Sequence, residues 1–224
     1  MIVKKAVFIA TLLLAASLPR QATAVTVDLS FAGSGVSGMI ELTYGLATDA
    51  KYPQAFEVTG ISGMFSDTNN GLSIINAPVG PLEPIKHDTP EPTNLLAPND
   101  FSRFAVASGL APQNNGFLTY DNLYYPGGSP PTASDYPLHG GFLDIYGLMF
   151  DIGGGRVVNF WSNGDPSGSG AGPIYGAAVA TSANALDYVG GVTLTPEPNT
   201  LGLLGAGLLA FVVSRRRAGQ KMSL

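Results

Sequence analysis

Between residues 25 and 195 apolar side chains return at every second position in short runs, and no stretch keeps a helical period for more than about two turns. Val25, Val27, Leu29 and Phe31 share one face, as do Ile40, Leu42 and Tyr44, and as do Phe56, Val58 and Gly60. A period of two puts successive side chains on opposite sides of an extended backbone, so these runs predict strands with one covered face. Further candidates are 60–65, 72–75, 101–107, 117–122, 174–181 and 185–194. The clearest hairpin pairs 142–150 with 156–161 across Gly153-Gly154-Gly155, where a positive φ costs little. About ten short strands between turn residues predict an all-β fold, a single antiparallel β-sandwich or barrel-like domain.

Two stretches interrupt the pattern. Residues 77–100 carry Pro78, Pro81, Pro84, Pro90, Pro92 and Pro98, and residues 125–137 carry Pro126, Pro130, Pro131 and Pro137. Proline has no N–H for a ladder and breaks helices, so both stretches are predicted as extended surface loops.

The ends of the 224-residue chain are of another kind. Lys4 and Lys5 precede an apolar run from Ala6 to Leu18, and Ala22-Thr23-Ala24 follows as a small-residue site, which together form a secretory signal. Signal peptidase is expected to cut after Ala24, giving residues 1–24 as signal peptide with a helical core and 25–195 as an extracytoplasmic all-β domain. At the other end Thr195-Pro196-Glu197-Pro198 precedes an apolar run from Leu201 to Val213 and the cluster Arg215-Arg216-Arg217. As a helix that run rises only about 20 Å, short of a hydrocarbon core of about 30 Å, so it is a marginal membrane segment. The three arginines keep its far end cytoplasmic and the main body outside.

This order resembles the PEP-CTERM sorting signal of bacteria that make exopolysaccharide. The resemblance implies a sorting signal over 196–217, with Pro196, Glu197 and Pro198 as the recognition motif, 201–213 as a short transmembrane helix, 215–217 as the basic cluster and 218–224 as a tail. It also implies processing by exosortase, a membrane enzyme that cuts near the motif. Within the body, 116–126, 140–147 and 159–164 resemble uncharacterised PEP-CTERM proteins with a similar all-β body, and this resemblance implies no activity.

The charged and reactive residues narrow the chemistry. The chain has no cysteine, which excludes disulfides, thiolate metal sites and thiol nucleophiles. Residues 25–195 set Lys51, Lys86, Arg103 and Arg156 against 15 carboxylates, a net charge of −11, so nucleic acid is not an expected partner. Gly33-Ser34-Gly35-Val36-Ser37-Gly38 fits the G-x-G-x-x-G pattern but continues into a strand rather than a helix, so no dinucleotide cofactor is expected. Ser37 and Ser62 lack the G-x-S-x-G context, and neither His87 nor His139 is tied to a serine by any motif. Asp67-Thr68-Asn69-Asn70-Gly71 departs from a calcium loop at its next position, Leu72, and reads as a hairpin turn; no metal site is assigned.

Glu41, Glu57, Asp144 and Asp151 lie on strands and could form a glycosidase pair. Asp144 and Asp151 differ by seven and would face opposite sides of one straight strand, one solvated and the other in the turn. Tyr120, Tyr124, Tyr125, Tyr136 and Trp161 fall in or beside loops, and Tyr124, Tyr125 and Trp161 are the candidate glycan contacts.

These features lead to an exported protein, anchored in the inner membrane before processing and then at the cell surface or extracellular, with a structural or adhesive role in exopolysaccharide matrix. No catalytic residue and no cofactor are assigned. The alternatives are a secreted carbohydrate-active enzyme and a glycan-binding module.

Overall fold

A computed structural model describes residues 24–86, 101–106, 116–131, 138–165 and 172–197. The signal segment before Ala24, with Ala22, and the C-terminal segment from Pro198 onward, with the 201–213 helix and Arg215–Arg217, lie outside the described residues.

Eleven strands are described: β1 (Val25–Gly33), β2 (Val36–Thr48), β3 (Phe56–Asp67), β4 (Ile74–Pro78), β5 (Ser102–Ala105), β6 (Phe117–Tyr120), β7 (Leu123–Tyr124), β8 (Leu148–Asp151), β9 (Val157–Gly164), β10 (Ile174–Ala180) and β11 (Ala185–Pro196). A single turn of 3-10 helix, Asn69–Gly71, joins β3 to β4. The main sheet runs β4-β3-β2-β1-β11-β10-β9-β8 with every pairing antiparallel, and β7 adds to the start of β3. It curls into a half-barrel. The segment that follows β4 crosses its open side: Val79 N–H donates to the Gly63 carbonyl at 2.9 Å, Gly80 N–H to Asp151 at 2.7 Å, Asp151 N–H to Pro81 at 3.1 Å and Glu83 N–H to Met149 at 2.8 Å.

The two halves of the sheet are covered differently. Inside the curl, Leu29, Phe31, Ile40, Leu42, Phe65, Phe150, Phe160 and Tyr175 form one core. The Phe31 ring centroid lies 4.9 Å from that of Phe160 and 6.1 Å from that of Phe65, joining the two halves at the centre. On the outside of β8–β10 a second core gathers Met149, Val157, Trp161, Ala178 and Ala180 beneath Leu118 and Tyr120 of the β5–β6 ribbon. Strands β8–β10 are therefore buried on both faces, whereas the outer faces of β1–β3 meet solvent.

The expected strand, turn and loop assignments shift at several places. Ser34-Gly35 makes a two-residue hairpin turn between the paired Gly33 and Val36, with Ser34 at φ 50° and Gly35 at φ 78°, the pair of positive angles that matches the twist of the flanking strands. In β3 the pairing steps from Gly60↔Thr43 to Val58↔Tyr44, so Thr59 is an extra residue and the buried side changes from Val58 to Ile61 and Phe65. Of the expected arm 142–150 only 148–150 is strand, the start of β8. Gly147, at φ 66°, takes the chain off the ladder, and a Cβ there would run into the Phe160 carbonyl. The start of the first proline-rich stretch is no surface loop: Ala77 and Pro78 pair with β3, and 79–83 carries the crossing described above.

Candidate functional site

Two buried carboxyl groups meet where the irregular segment 142–147 passes the β6–β7 junction. Asp144 is 3% exposed and Asp121 1% exposed, with their side chains within hydrogen-bonding reach of each other. One Asp144 oxygen accepts the N–H groups of Tyr146 at 2.8 Å and Gly147 at 3.1 Å, and the other accepts the Tyr125 hydroxyl at 3.1 Å. Asp121 accepts the Leu123 N–H at 3.0 Å through Oδ1, while its Oδ2 is buried without a donor among the described residues. A proton held on Asp121 Oδ2 and directed at Asp144 satisfies that oxygen. Burial, followed by the charge of Asp144, holds the Asp121 carboxyl well above the usual range, and burial also raises Asp144. Burial, together with the charges of Asp144, Asp121 and Asp49, pushes Tyr52 up to about 12. The Tyr125 and Tyr146 hydroxyls are raised by burial and by the same two aspartates, and Tyr146 Oη is buried with no hydrogen-bond partner among the described residues.

The neighbouring amides explain why these groups are buried. Asn122 donates to the Glu83 carbonyl at 2.9 Å and accepts the Met149 N–H at 2.9 Å, tying the crossing segment to β8. Asn159 donates to the carbonyls of Tyr146 at 2.9 Å and Leu148 at 3.1 Å. Asp144, Asn122 and Asn159 thus supply the partners that a non-strand segment inside a sheet protein would otherwise lack.

A second carboxyl pair sits at the opposite end of β3. Asp67 is fully buried, with Oδ1 accepting the Asn69 N–H at 2.9 Å and Oδ2 without a donor among the described residues, and it faces Asp187 of β11. Asp187 accepts Asn69 Nδ2 at 3.1 Å and Asn70 Nδ2 at 2.6 Å. Burial raises the Asp67 carboxyl, and Asp187 adds to the shift. The Asp67–Gly71 stretch is a turn as expected, and its amides bind the turn to β11. Among the described residues no group of three or more histidine or acidic side chains converges as metal ligands.

The other candidates are dispersed. Glu41 and Glu57 are exposed, and Asp151 accepts the Gly153 N–H at 2.7 Å within the β8–β9 turn. Asp144, expected to be solvated or in the turn, is instead buried, because 142–147 folds inward. Ser37, Ser62 and His139 are exposed, and His87 and Tyr136 lie outside the described residues.

Tyr124, Tyr125 and Trp161 are buried, at 4%, 0% and 5% exposure, and offer no open ring face for sugar. Tyr124 packs against Tyr44 with centroids 5.1 Å apart, Tyr125 points its hydroxyl at Asp144, and Trp161 belongs to the outer core. Among the described residues the exposed ring is Tyr188, 60% accessible, which lies over Trp161 at 4.9 Å and 30°. No motif singles it out, since Tyr188 is one tyrosine in an alternating strand.

At its end β11 leaves β10 and pairs with β1 alone, matching Thr193 with Ala32, Leu194 with Phe31, Thr195 with Ser30 and Pro196 with Leu29. The Glu197 N–H then donates to the Asp28 carbonyl at 2.9 Å. The residues expected to begin the sorting motif, Pro196 and Glu197, are therefore continuous with the body's sheet, and Ala24, at the expected signal-peptidase site, directly precedes β1. The fold and this terminus together define a body that is all β among its described residues and whose last strand runs into the C-terminal motif. Residues 194–217 match the family model described as the PEP-CTERM protein-sorting motif, so the chain carries that signal. The motif implies exosortase-dependent export to the cell surface, with exosortase as processing partner and membrane anchoring before processing. No curated protein and no solved structure gives a match to the chain.

Proposed function

We propose that this protein is a non-catalytic, structural or adhesive component of the cell surface or exopolysaccharide matrix, released or surface-attached after exosortase acts on its C-terminal signal. The observation that carries the reading is the sorting motif over residues 194–217, attached to a body that is all β among its described residues. The carboxyl groups favour it over a glycosidase. Asp121 and Asp144 touch and are sealed, whereas glycoside hydrolysis needs carboxyls about 5 to 10 Å apart with sugar or water between them.

A glycan-binding role is favoured by one feature, the exposed Tyr188 ring backed by Trp161, because an aromatic face fixed against a second ring is a stacking platform for sugar. Co-sedimentation of the exported protein with matrix polysaccharide from its host tests both readings. A matrix component pellets with the polysaccharide, and Tyr188→Ala weakens pelleting if stacking holds it there. A protein that stays in the supernatant while the polysaccharide is shortened is instead an enzyme.

A further inference from the structure

Asp67 and Asp187 face each other where the β3–β4 turn meets β11. Asp67 is 0% exposed, yet its Oδ2 has no donor among the described residues. Its Oδ1 takes the Asn69 N–H, and Asp187 takes the side-chain amides of Asn69 and Asn70. No lysine or arginine is among these partners, so two facing carboxylates meet with nothing positive between them. The Asp121–Asp144 pair is sealed, and the Asp144 oxygens already hold three donors. The Asp67–Asp187 pair instead lies beneath Thr68, Asn70 and Gly71, all exposed, so an ion can reach it from water.

The amides can supply further oxygen. Asn70 Nδ2 lies 2.6 Å from Asp187 Oδ1, and half a turn about the last side-chain bond, a broad torsion, puts Asn70 Oδ1 in its place. Asn69 is held as it stands, because its Nδ2 also donates to the Ser34 carbonyl at 2.7 Å, and it keeps Asp187 Oδ2 in position. We propose that this corner is a calcium site, with Asp67 Oδ2, Asp187 Oδ1 and Asn70 Oδ1 as protein ligands and water completing the shell from the exposed side. Three hard oxygen donors suit Ca²⁺ or Mg²⁺ rather than Zn²⁺ or Cu²⁺. Ca²⁺ accepts the irregular geometry of a turn, whereas Mg²⁺ demands a near-ideal octahedron and gives up its water reluctantly. The two carboxylates balance the charge of one ion. Once bound, the ion joins β3, its turn and β11 to the β1–β2 turn, which is already tied in by Thr68 Oγ1 donating to the Gly35 carbonyl at 3.2 Å and Ser34 Oγ to the Gly190 carbonyl at 2.7 Å.

The test is calorimetric titration of the exported protein, stripped with a chelator, with calcium chloride. One ion binds per chain with a dissociation constant of about 10⁻⁴–10⁻³ M, the range of extracellular calcium modules, and the melting temperature rises with calcium. Asp67→Asn keeps the shape of the turn and offers an amide donor to Asp187, but removes a ligand charge and weakens binding at least about tenfold. Asn70→Gly, which suits the backbone at φ 49°, removes the amide ligand at an exposed position, weakens binding several-fold and carries the test if Asp67→Asn does not fold. No binding at millimolar calcium, or an affinity unchanged in either variant, overturns the site. Magnesium that binds more tightly than calcium overturns the choice of ion.

Discussion

Strands β1–β3 and strands β8–β10 belong to one sheet and bury their inner faces in one core, yet they solve different problems on the outside. On β2 and β3 the outer face carries Met39 and Met64, about half exposed, beside Ser37, Glu41 and Ser62. On β8 and β9 the outer face carries Met149 and Trp161, sealed beneath β5–β6. The difference shows that covering a sheet on its second side removes the alternation by which a strand is read. It also brings irregular chain into the interior, which then needs buried polar partners such as Asp144, Asn122 and Asn159.

The largest break in this comparison is Met149→Lys. An ammonium with no partner in the second core costs about 4 kcal/mol or more, and loss of cooperative unfolding in the exported protein checks it. Phe160→Ala, which empties the point where the halves meet, costs about 3–5 kcal/mol by denaturant midpoint. Asp144→Ala strips acceptors from the Tyr146 and Gly147 N–H groups and the Tyr125 hydroxyl and costs about 3 kcal/mol, with the loss centred on β8–β9 in hydrogen exchange. On the singly covered half, Met39→Lys stays within about 0.5 kcal/mol of the parent.

The acid pair adds a pH signature. Asp121 has a folded pKa raised above its unfolded value near 4, so the stability it contributes is complete below about pH 4 and is lost as pH rises through the raised value. Melting temperature should therefore fall over that window in the parent and fall less in Asp121→Asn, whose amide donates to Asp144 at every pH. An equal pH slope in the two proteins would remove the shared proton from the account.

Legibility in the sequence follows the same division. Val25 to Phe31 and Ile40 to Tyr44 were readable because one side of each strand is wet, and the Gly153–Gly155 turn because three glycines mark it. The arm 142–150 was misread since Asp144, on an aromatic-rich run, looks like the polar side of a strand; its carboxylate is instead the acceptor that bends the chain. Asp121 could not be paired with it from sequence, as it stands in the expected strand 117–122 with nothing to mark it and the meeting depends on tertiary packing. Prolines 78 and 81 suggested an outer loop. Yet a segment that needs only some of its N–H groups can accept proline and still stitch β4 to β8. The sorting motif was legible because its elements are local and ordered along the chain; its pairing with β1 was not, being a contact between residues far apart in sequence.

That pairing also fixes how the body responds to force. Val25 begins β1 and Glu197 follows β11, and because the strands are antiparallel neighbours both ends leave from the same end of the same ladder. Tension between the two termini therefore loads the hydrogen bonds one after another, as a zipper is opened, rather than shearing the whole row at once. The first rungs to yield are Glu197–Asp28 and Pro196–Leu29. Held by its two termini, the body is mechanically soft at that seam; held by the remote turn at Ser34-Gly35 and by either end, the same strands resist in parallel.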